Sequence, residues 1–411
     1  MRVAFVVGGF PVLSETFILD QITGIIELGH EVEIFSRTIP DVKKVHPDVK
    51  NFGLIQKTHY VPVPAGGKLR WRLKSLLLLI KGCLTRPFST IRLVRRLLAM
   101  QGGFSHDLFQ LSMAMTKNRF DIIHCHFATL GLVAINLKDI GVQSKFITAF
   151  HGYDVNKFPL EAGPDVYKKL FAQCDLYTAN TNYTKGQAVD LGCDPDRIEI
   201  LPEGLRVEKF LFNTRHLKPN SKVKVLTVGR LVEKKGYEYS IPAIGKLIKQ
   251  GYDIEYNIVG DGSLKEKLQK LVDDLSIRSN VIFKGDLNQT EVLKLYQDCH
   301  VFILSSVTAS TGDKEGQALV LQEAQATGMP VISTFHNGIP DGVLDGKSGF
   351  LVEERDIDGL AEKVQILIDT PDMIAEFGKT GRKFVEKRYD INLLNKRVEG
   401  FYQKLVTSQR L

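Results

Sequence analysis

The 411-residue chain is too long for one ordinary hydrophobic core and suits two domains of roughly 200 residues each. Its 44% hydrophobic and 25% charged content is that of a soluble globular protein, which excludes a disordered or membrane-spanning chain. The net charge of +7 is local, because Lys68 to Arg96 holds nine basic residues and no acidic one, leaving the remainder slightly acidic.

The opening MRVAFVVGGF carries one charge and an apolar run that soon stops, so it reads as a first strand, Arg2 to Val7, and not as a signal peptide. Gly8 and Gly9 follow, then a helical run from Phe17 to Leu28. A glycine pair between strand and helix lets backbone approach a ligand closely, although many such turns serve structure alone. Glu31 to Ser36 and Tyr60 to Val63 read as the next strands.

From Lys68 onward Leu and Ile alternate with Lys and Arg, which suits two amphipathic helices separated at Pro87. Across 68–100 a cationic, tryptophan-bearing face of this kind suits anionic lipid headgroups. The same pattern also suits a helix whose apolar side is core and whose basic side is solvated. No nucleic-acid-binding module accompanies the charge, so nucleic acid is not expected as a partner. The longest unbroken apolar run, Leu76 to Ile80, is far short of the roughly 20 residues a bilayer span needs.

Asp121 to His124 reads as a buried strand ending in His124-Cys125-His126. The two imidazoles are expected on opposite faces of the extended chain, a poor chelate, and no metal site is expected. Lys145 to Phe150 is a strand that runs into His151-Gly152-Tyr153-Asp154. A histidine at a strand's C-terminal end is where an α/β sheet displays chemistry, and also where a satisfied structural histidine can sit. Asp154 reads as orienting its loop. Leu176 to Thr181 and Glu199 to Pro202 complete a first domain, 1–205, followed by a linker at 206–221. Five cysteines with no CxxC pair and an odd count argue against a disulfide framework, so a reducing cytoplasm is expected.

The second domain, 222–390, opens with the strand Val223 to Val228 and the turn Gly229 to Gly236, where Arg230 and Lys235 suit a diphosphate clamp. Glu255 to Val259 leads to Gly260-Asp261-Gly262, and Val281 to Lys284 to Gly285-Asp286-Leu287. His300 to Leu304 leads through a polar loop to Glu315-Gly316, with a short apolar helix expected from there to Gly328 and a strand from Pro330 to Ser333. On that helix the N–H groups of Gly316, Gln317 and Ala318 are expected free to hold an anion. Glu323 shares a stripe with Leu319, Val320 and Ala326, so it needs a hydrogen-bonding partner, and a carboxylate can take the two hydroxyls of a diol. Both glutamates can equally be ordinary loop and helix-face acids.

Glu315 and Glu323, with seven residues between them and Gly328-Met329-Pro330-Val331 beyond, resemble the donor-site signature of the retaining glycosyltransferases of family 4. SSVTASTGDKE at 305–315 resembles the preceding loop in polysaccharide-building members of the colanic-acid type, and GR-x4-KG at 229–236 and HG-x-D at 151–154 are also similar to family words. The resemblance covers nearly the whole second domain and parts of the first. It implies an α/β GT-B fold of two Rossmann-like, doubly wound domains facing a cleft, with the last helix, 391–411, crossing back to the first.

The resemblance further implies transfer of a sugar from a nucleoside diphosphate sugar to a hydroxyl of a glycan or lipid-linked acceptor, with no other cofactor and no metal. Arg230 and Lys235 would hold the diphosphate, together with the N–H groups of Gly316, Gln317 and Ala318. Glu315 would hold sugar hydroxyls, Glu323 the ribose, and His151 the reacting end of the sugar. Gly8 and Gly9 would touch donor or acceptor, Gly285 and Leu287 the base, while His126 and Asp154 would line the cleft. Glu203 to Arg206 depart from the family's asparagine-glycine-x-aspartate and receive no roles. TFHNGIPD at 334–341 has Asn337 and Asp341 where the family usually has glycine and glutamate, so this loop's contacts stay unassigned. The alternative is a nucleotide-sugar epimerase of the same architecture. The expected location is cytoplasmic, with peripheral contact on the inner face of the plasma membrane left open.

Overall fold

Two all-parallel sheets organise the chain. The computed structural model describes residues 1–12, 15–40, 45–61, 68–85, 87–99, 106–115, 119–217 and 221–407. The end of the expected third strand at 62–63, residues 218–220 of the linker and the last four residues lie outside these. So do the side chains of Lys68, Arg70, Trp71, Arg72, Lys74 and Arg86.

The first sheet contains β1 (Arg2–Gly9), β2 (Glu31–Thr38), β3 (Thr58–Tyr60), β4 (Ile122–His126), β5 (Lys145–Phe150), β6 (Leu176–Ala179) and β7 (Ile198–Ile200). Their order is β3-β2-β1-β4-β5-β6-β7. Val3 to Val7, a continuous apolar run, and Ile122 to His126, which includes two histidines, are wholly buried, as strands in an all-parallel sheet covered on both faces are. Phe5 of β1 pairs in register with His124 of β4.

The second sheet contains β8 (Val223–Val228), β9 (Ile254–Val259), β10 (Val281–Gly285), β11 (Val301–Ile303), β12 (Val331–Thr334) and β13 (Gly349–Val352), in the order β10-β9-β8-β11-β12-β13. In each sheet the order reverses beside the first strand, between β1 and β4 and between β8 and β11. Doubly wound sheets open their ligand crevice at that switch point, outside the strand C-termini.

Contacts divide the chain into two compact units: Met1–Ala179, Lys185–Ile200 and Asn395–Leu411 form one, and Asn180–Thr184 with Leu201–Leu394 the other. The helix Ile391–Thr407 therefore contributes residues to both. Within the first unit this helix lies against Thr16–Glu27, where Asn395 donates to the Asp20 carbonyl at 3.2 Å. Tyr402, fully buried, reaches His124. The basic stretch forms two helices, Lys68–Thr85 and Pro87–Ala99, the second beginning at the proline, as the missing N–H of that residue requires.

Candidate functional site

Three loops leave the carboxyl edge of the second sheet and meet at Glu315. The β8 exit carries Arg230 and Lys235, the β11 exit carries Glu315, and the β12 exit carries His336 and Asn337. Lys235 and Glu315 form an ion pair, their side chains only 11% and 13% exposed. Burial would raise the Glu315 carboxyl, but the Lys235 and Lys234 ammonium groups hold it down to about 2. Arg230 stands exposed on the same turn. The turn closes at Gly236, whose φ of +67° and a Ser305 carbonyl 1.7 Å from any added Cβ leave room for glycine alone.

The loop between β11 and Glu315 is tied to that turn. Ser305 Oγ donates to the Gly236 carbonyl at 2.6 Å, Val307 N–H to Lys234 O at 3.0 Å, and Ser310 N–H to Glu233 at 2.7 Å. His336, which sequence reasoning left unassigned, fixes Glu315 itself. Its Nε2 accepts the Glu315 N–H at 3.0 Å and its Nδ1 meets Glu354 Oε1 at 2.5 Å. A ring that accepts on Nε2 must be neutral, and burial lowers the His336 pKa in agreement. Asn337 donates to the Glu315 carbonyl at 3.0 Å. Its φ of +46° is the conformation that favours the glycine expected there, and asparagine tolerates it. Asp341 accepts from the Asn182 side chain at 2.9 Å. The signal that finds His336 is the one applied to His151, a histidine just past a strand's C-terminal end.

Glu323 has the partner its apolar stripe requires. Tyr296 OH donates to its carboxylate at 2.8 Å. Burial pushes the Glu323 carboxyl up to about 7, against the lowering effect of that hydrogen bond. The expected helix start is corrected: the helix is Val320–Ala326, not a helix from Gly316. Ala318 has φ of +59°, which no helix admits, and the Gln317 amide is drawn aside by Glu203. Gln317 Oε1 accepts the Glu203 N–H at 2.7 Å and its Nε2 donates to Glu203 O at 2.8 Å. Gly316, Gln317 and Ala318 thus form an irregular turn, not a helix tip. On the other side of β8, the Gly285 carbonyl accepts Gly260 N–H at 2.9 Å, bringing the β9 and β10 exits together, with Leu287 partly buried beyond.

In the first unit, His126 and His151 stand at the ends of β4 and β5. The expectation that His124 and His126 face opposite ways is overturned. Residues two apart on a strand share a face, and their rings stack at 5.0 Å and 11°. Phe5 stacks on both, at 5.3 Å and 5.9 Å. His126 Nδ1 lies 3.2 Å from His151 Nε2, and His124 Nδ1 lies 2.7 Å from Tyr402 OH. Burial, aided by His151, pulls His124 down to about 3; burial also takes His126 well down, so both stay neutral near pH 7. Phe17 and Phe127 pack on the His151 ring at 5.0 Å and 4.8 Å. Phe127 does so from φ of +73°, rare for a bulky residue.

Asp154 accepts the His151 N–H at 3.0 Å and is fully buried, which raises its pKa against the backbone N–H groups around it. Gly8 and Gly9 end β1, where Thr38 Oγ1 donates to Gly8 O at 3.0 Å. Each unit therefore gathers its polar side chains at the carboxyl edge beside its switch point.

Two family models match the chain, Glycosyltransferase Family 4 over residues 14–209 and Glycosyl transferases group 1 over 209–384. A protein named for colanic acid biosynthesis, the glycosyltransferase WcaL of Escherichia coli K12, is 32% identical over 98% of this chain and 100% of its own. A GDP-mannose-dependent monoacylated alpha-(1-6)-phosphatidylinositol monomannoside mannosyltransferase of Corynebacterium glutamicum is 30% identical over 67% of this chain and 74% of its own. In three dimensions the Anabaena protein HepE, solved in complex with UDP, matches with a TM-score of 0.74 at 14% identity, over 98% of this chain and all of its own. That likeness gives the fold, GT-B. These relatives lend no support to an epimerase, and with such identity along nearly its whole length the chain belongs to glycosyltransferase family 4.

Proposed function

We propose that the protein transfers a sugar from a nucleoside diphosphate sugar to a hydroxyl of a lipid-linked saccharide during polysaccharide assembly, at the inner face of a membrane, with retention at the anomeric carbon. The observation that carries this reading is the Lys235–Glu315 ion pair at the second sheet's carboxyl edge, beside exposed Arg230. An arriving diphosphate offers Lys235 a new anion, and the donor sugar offers Glu315 hydroxyl donors in exchange. Arg230 and Lys235 then stabilise the negative charge that grows as the bond from the anomeric carbon to the diphosphate oxygen breaks. The acceptor oxygen bonds to that carbon on the same face, and its proton passes to the departing phosphate oxygen. This chemistry calls on no metal, since the two cations supply the charge. Glu323 takes the ribose diol, and His151 the reacting end of the sugar.

The donor and acceptor classes rest on relatives. The Corynebacterium enzyme is named for GDP-mannose and a phosphatidylinositol-based acceptor, which makes GDP-mannose the first donor to test and supports a lipid-borne acceptor. The experiment is thermal unfolding with GDP, UDP and their sugars, followed by transfer of labelled sugar to a lipid extract. The protective donor should label lipid, and Arg230→Ala, Lys235→Ala and Glu315→Gln should each abolish labelling while keeping the fold. No protection by any nucleoside diphosphate, or parent-like labelling by all three variants, overturns the reading. Activity lost in EDTA and restored by a divalent ion rejects the metal-free step.

A further inference from the structure

The helix Lys68–Thr85 turns a stripe of large aliphatic side chains outward. Leu73, Leu76, Leu77, Ile80 and Leu84 fall at helical spacing on one stripe, and all five are exposed, Leu77 at 67% and Leu84 at 81%. The side turned inward carries Leu78 and Leu79, which pack against the core of the first unit, with Ser75 and Gly82 beside them. Ser75 is buried where Gln110 donates to it at 3.4 Å. Gly82 lies so close to Met113 and Thr90 that an added Cβ would meet both at 2.7 Å. The next helix, Pro87–Ala99, likewise exposes Phe88, at 89%, with Ile91 and Leu98. It buries Leu93 and Leu97. Large apolar side chains exposed in this number on two helices that pack together mark an interaction surface.

Charge decides what covers it. Lys81, Arg92 and Arg95 have exposed side chains among these apolar residues, and the segment 68–96 contains no acidic residue. A second copy of the chain meeting this face by two-fold symmetry would set cations against cations. Nucleic acid would satisfy the cations and leave the leucines and isoleucines wet. A bilayer bearing anionic lipids satisfies both, with the aliphatic stripe at the acyl boundary and the cations among the headgroups. Among the described residues no helix is long and apolar enough to cross a membrane, so the mode of attachment is lying on the surface.

We infer that the helices Lys68–Thr85 and Pro87–Ala99 form a docking face for an anionic lipid surface. This deepens the proposed lipid-linked acceptor by naming the partner that holds the protein beside it. The test is flotation of the full chain with vesicles of phosphatidylcholine alone and with 30% phosphatidylglycerol (about a third anionic lipid, enough to set a surface potential), without sugar nucleotide. Vesicle binding is then scored independently of transfer, so failure of one leaves the other standing.

The chain should float with the anionic vesicles, weakly with the neutral ones, and less as salt rises. Leu84→Glu/Phe88→Glu and, separately, Arg92→Gln/Arg95→Gln should each weaken binding by about tenfold or more, with circular dichroism unchanged. Equal binding of parent and both variants overturns the inference. So does flotation indifferent to lipid charge, or light scattering that shows a stable dimer dispersed by Leu84→Glu/Phe88→Glu.

Discussion

His336 holds Glu315 by its backbone: Nε2 accepts the Glu315 N–H at 3.0 Å, while the opposite ring nitrogen donates to Glu354 at 2.5 Å. Asn337 takes the Glu315 carbonyl, so one loop grips both main-chain groups of the residue assigned to the donor sugar. His336→Ala should therefore lower kcat by about tenfold to a hundredfold, the usual consequence of an ångström of misplacement, with a smaller change in donor KM. Glu354→Gln should move kcat in the same direction. Steady-state kinetics check this, and an unchanged kcat in His336→Ala would remove His336 from the mechanism.

Lys235 and Glu315 are each nearly buried, so removing one leaves the other's charge without its counterpart. Lys235→Met or Glu315→Gln alone should cost about 3 kcal/mol of stability, whereas the double variant should recover most of it while remaining inactive. Urea unfolding of the four proteins measures the cycle, and simple additivity would show that the pair is not coupled. Because the Glu315 carboxyl is held at about 2 in the folded protein, the pair's contribution is complete above about pH 4.5. It is lost as the pH falls from there towards 2.

Glu323 titrates in the opposite sense. Its carboxyl, pushed up to about 7 by burial, must be ionised to take the proposed role of accepting two ribose hydroxyls. Donor affinity should be full at pH 8 and fall as the pH drops through about 7. Tyr296→Phe, which removes the hydrogen bond that lowers this pKa, should move the midpoint to higher pH. Isothermal titration with the nucleoside diphosphate across this range reads the midpoint; a flat profile would detach Glu323 from the ribose. In the free protein the sign reverses, since burying the ionised form costs stability as the pH rises from 4.5 through about 7.

Tyr402 and His124 share a buried hydrogen bond of 2.7 Å. Tyr402→Phe should cost about 1–3 kcal/mol, because it strands a buried ring nitrogen with no solvent to replace the hydroxyl. Denaturant midpoints report the cost directly, and a loss under about 0.5 kcal/mol would mean the site admits water.

Strand exits and charged words were legible because each rests on local pattern: apolar runs ending in glycine, and the spacing of Glu315 and Glu323. The helix start near Gly316 was not, because Ala318 at φ of +59° and the hold of Glu203 on Gln317 are set by tertiary contacts that no propensity carries. The facing of His124 and His126 was legible from the two-residue period of a strand, and the expectation misapplied it. His336 and Glu354 lie 18 residues apart and became partners only once β12 and β13 were paired. The exposed aliphatic stripe was visible as leucines among cations, but which side of the helix was core depended on Ser75, Leu78, Leu79 and Gly82 packing inward.

The internal neutralisation of Lys235 by Glu315 would make a donor site built on this pair discriminating. A bare phosphate that captured the lysine would strand a carboxylate, trading one pairing for another with little net gain. Under the proposed reading a nucleoside diphosphate sugar would compensate both halves at once, phosphate for the lysine and hydroxyls for the carboxylate, so inorganic phosphate alone should compete poorly for a pair that already supplies its own counterion.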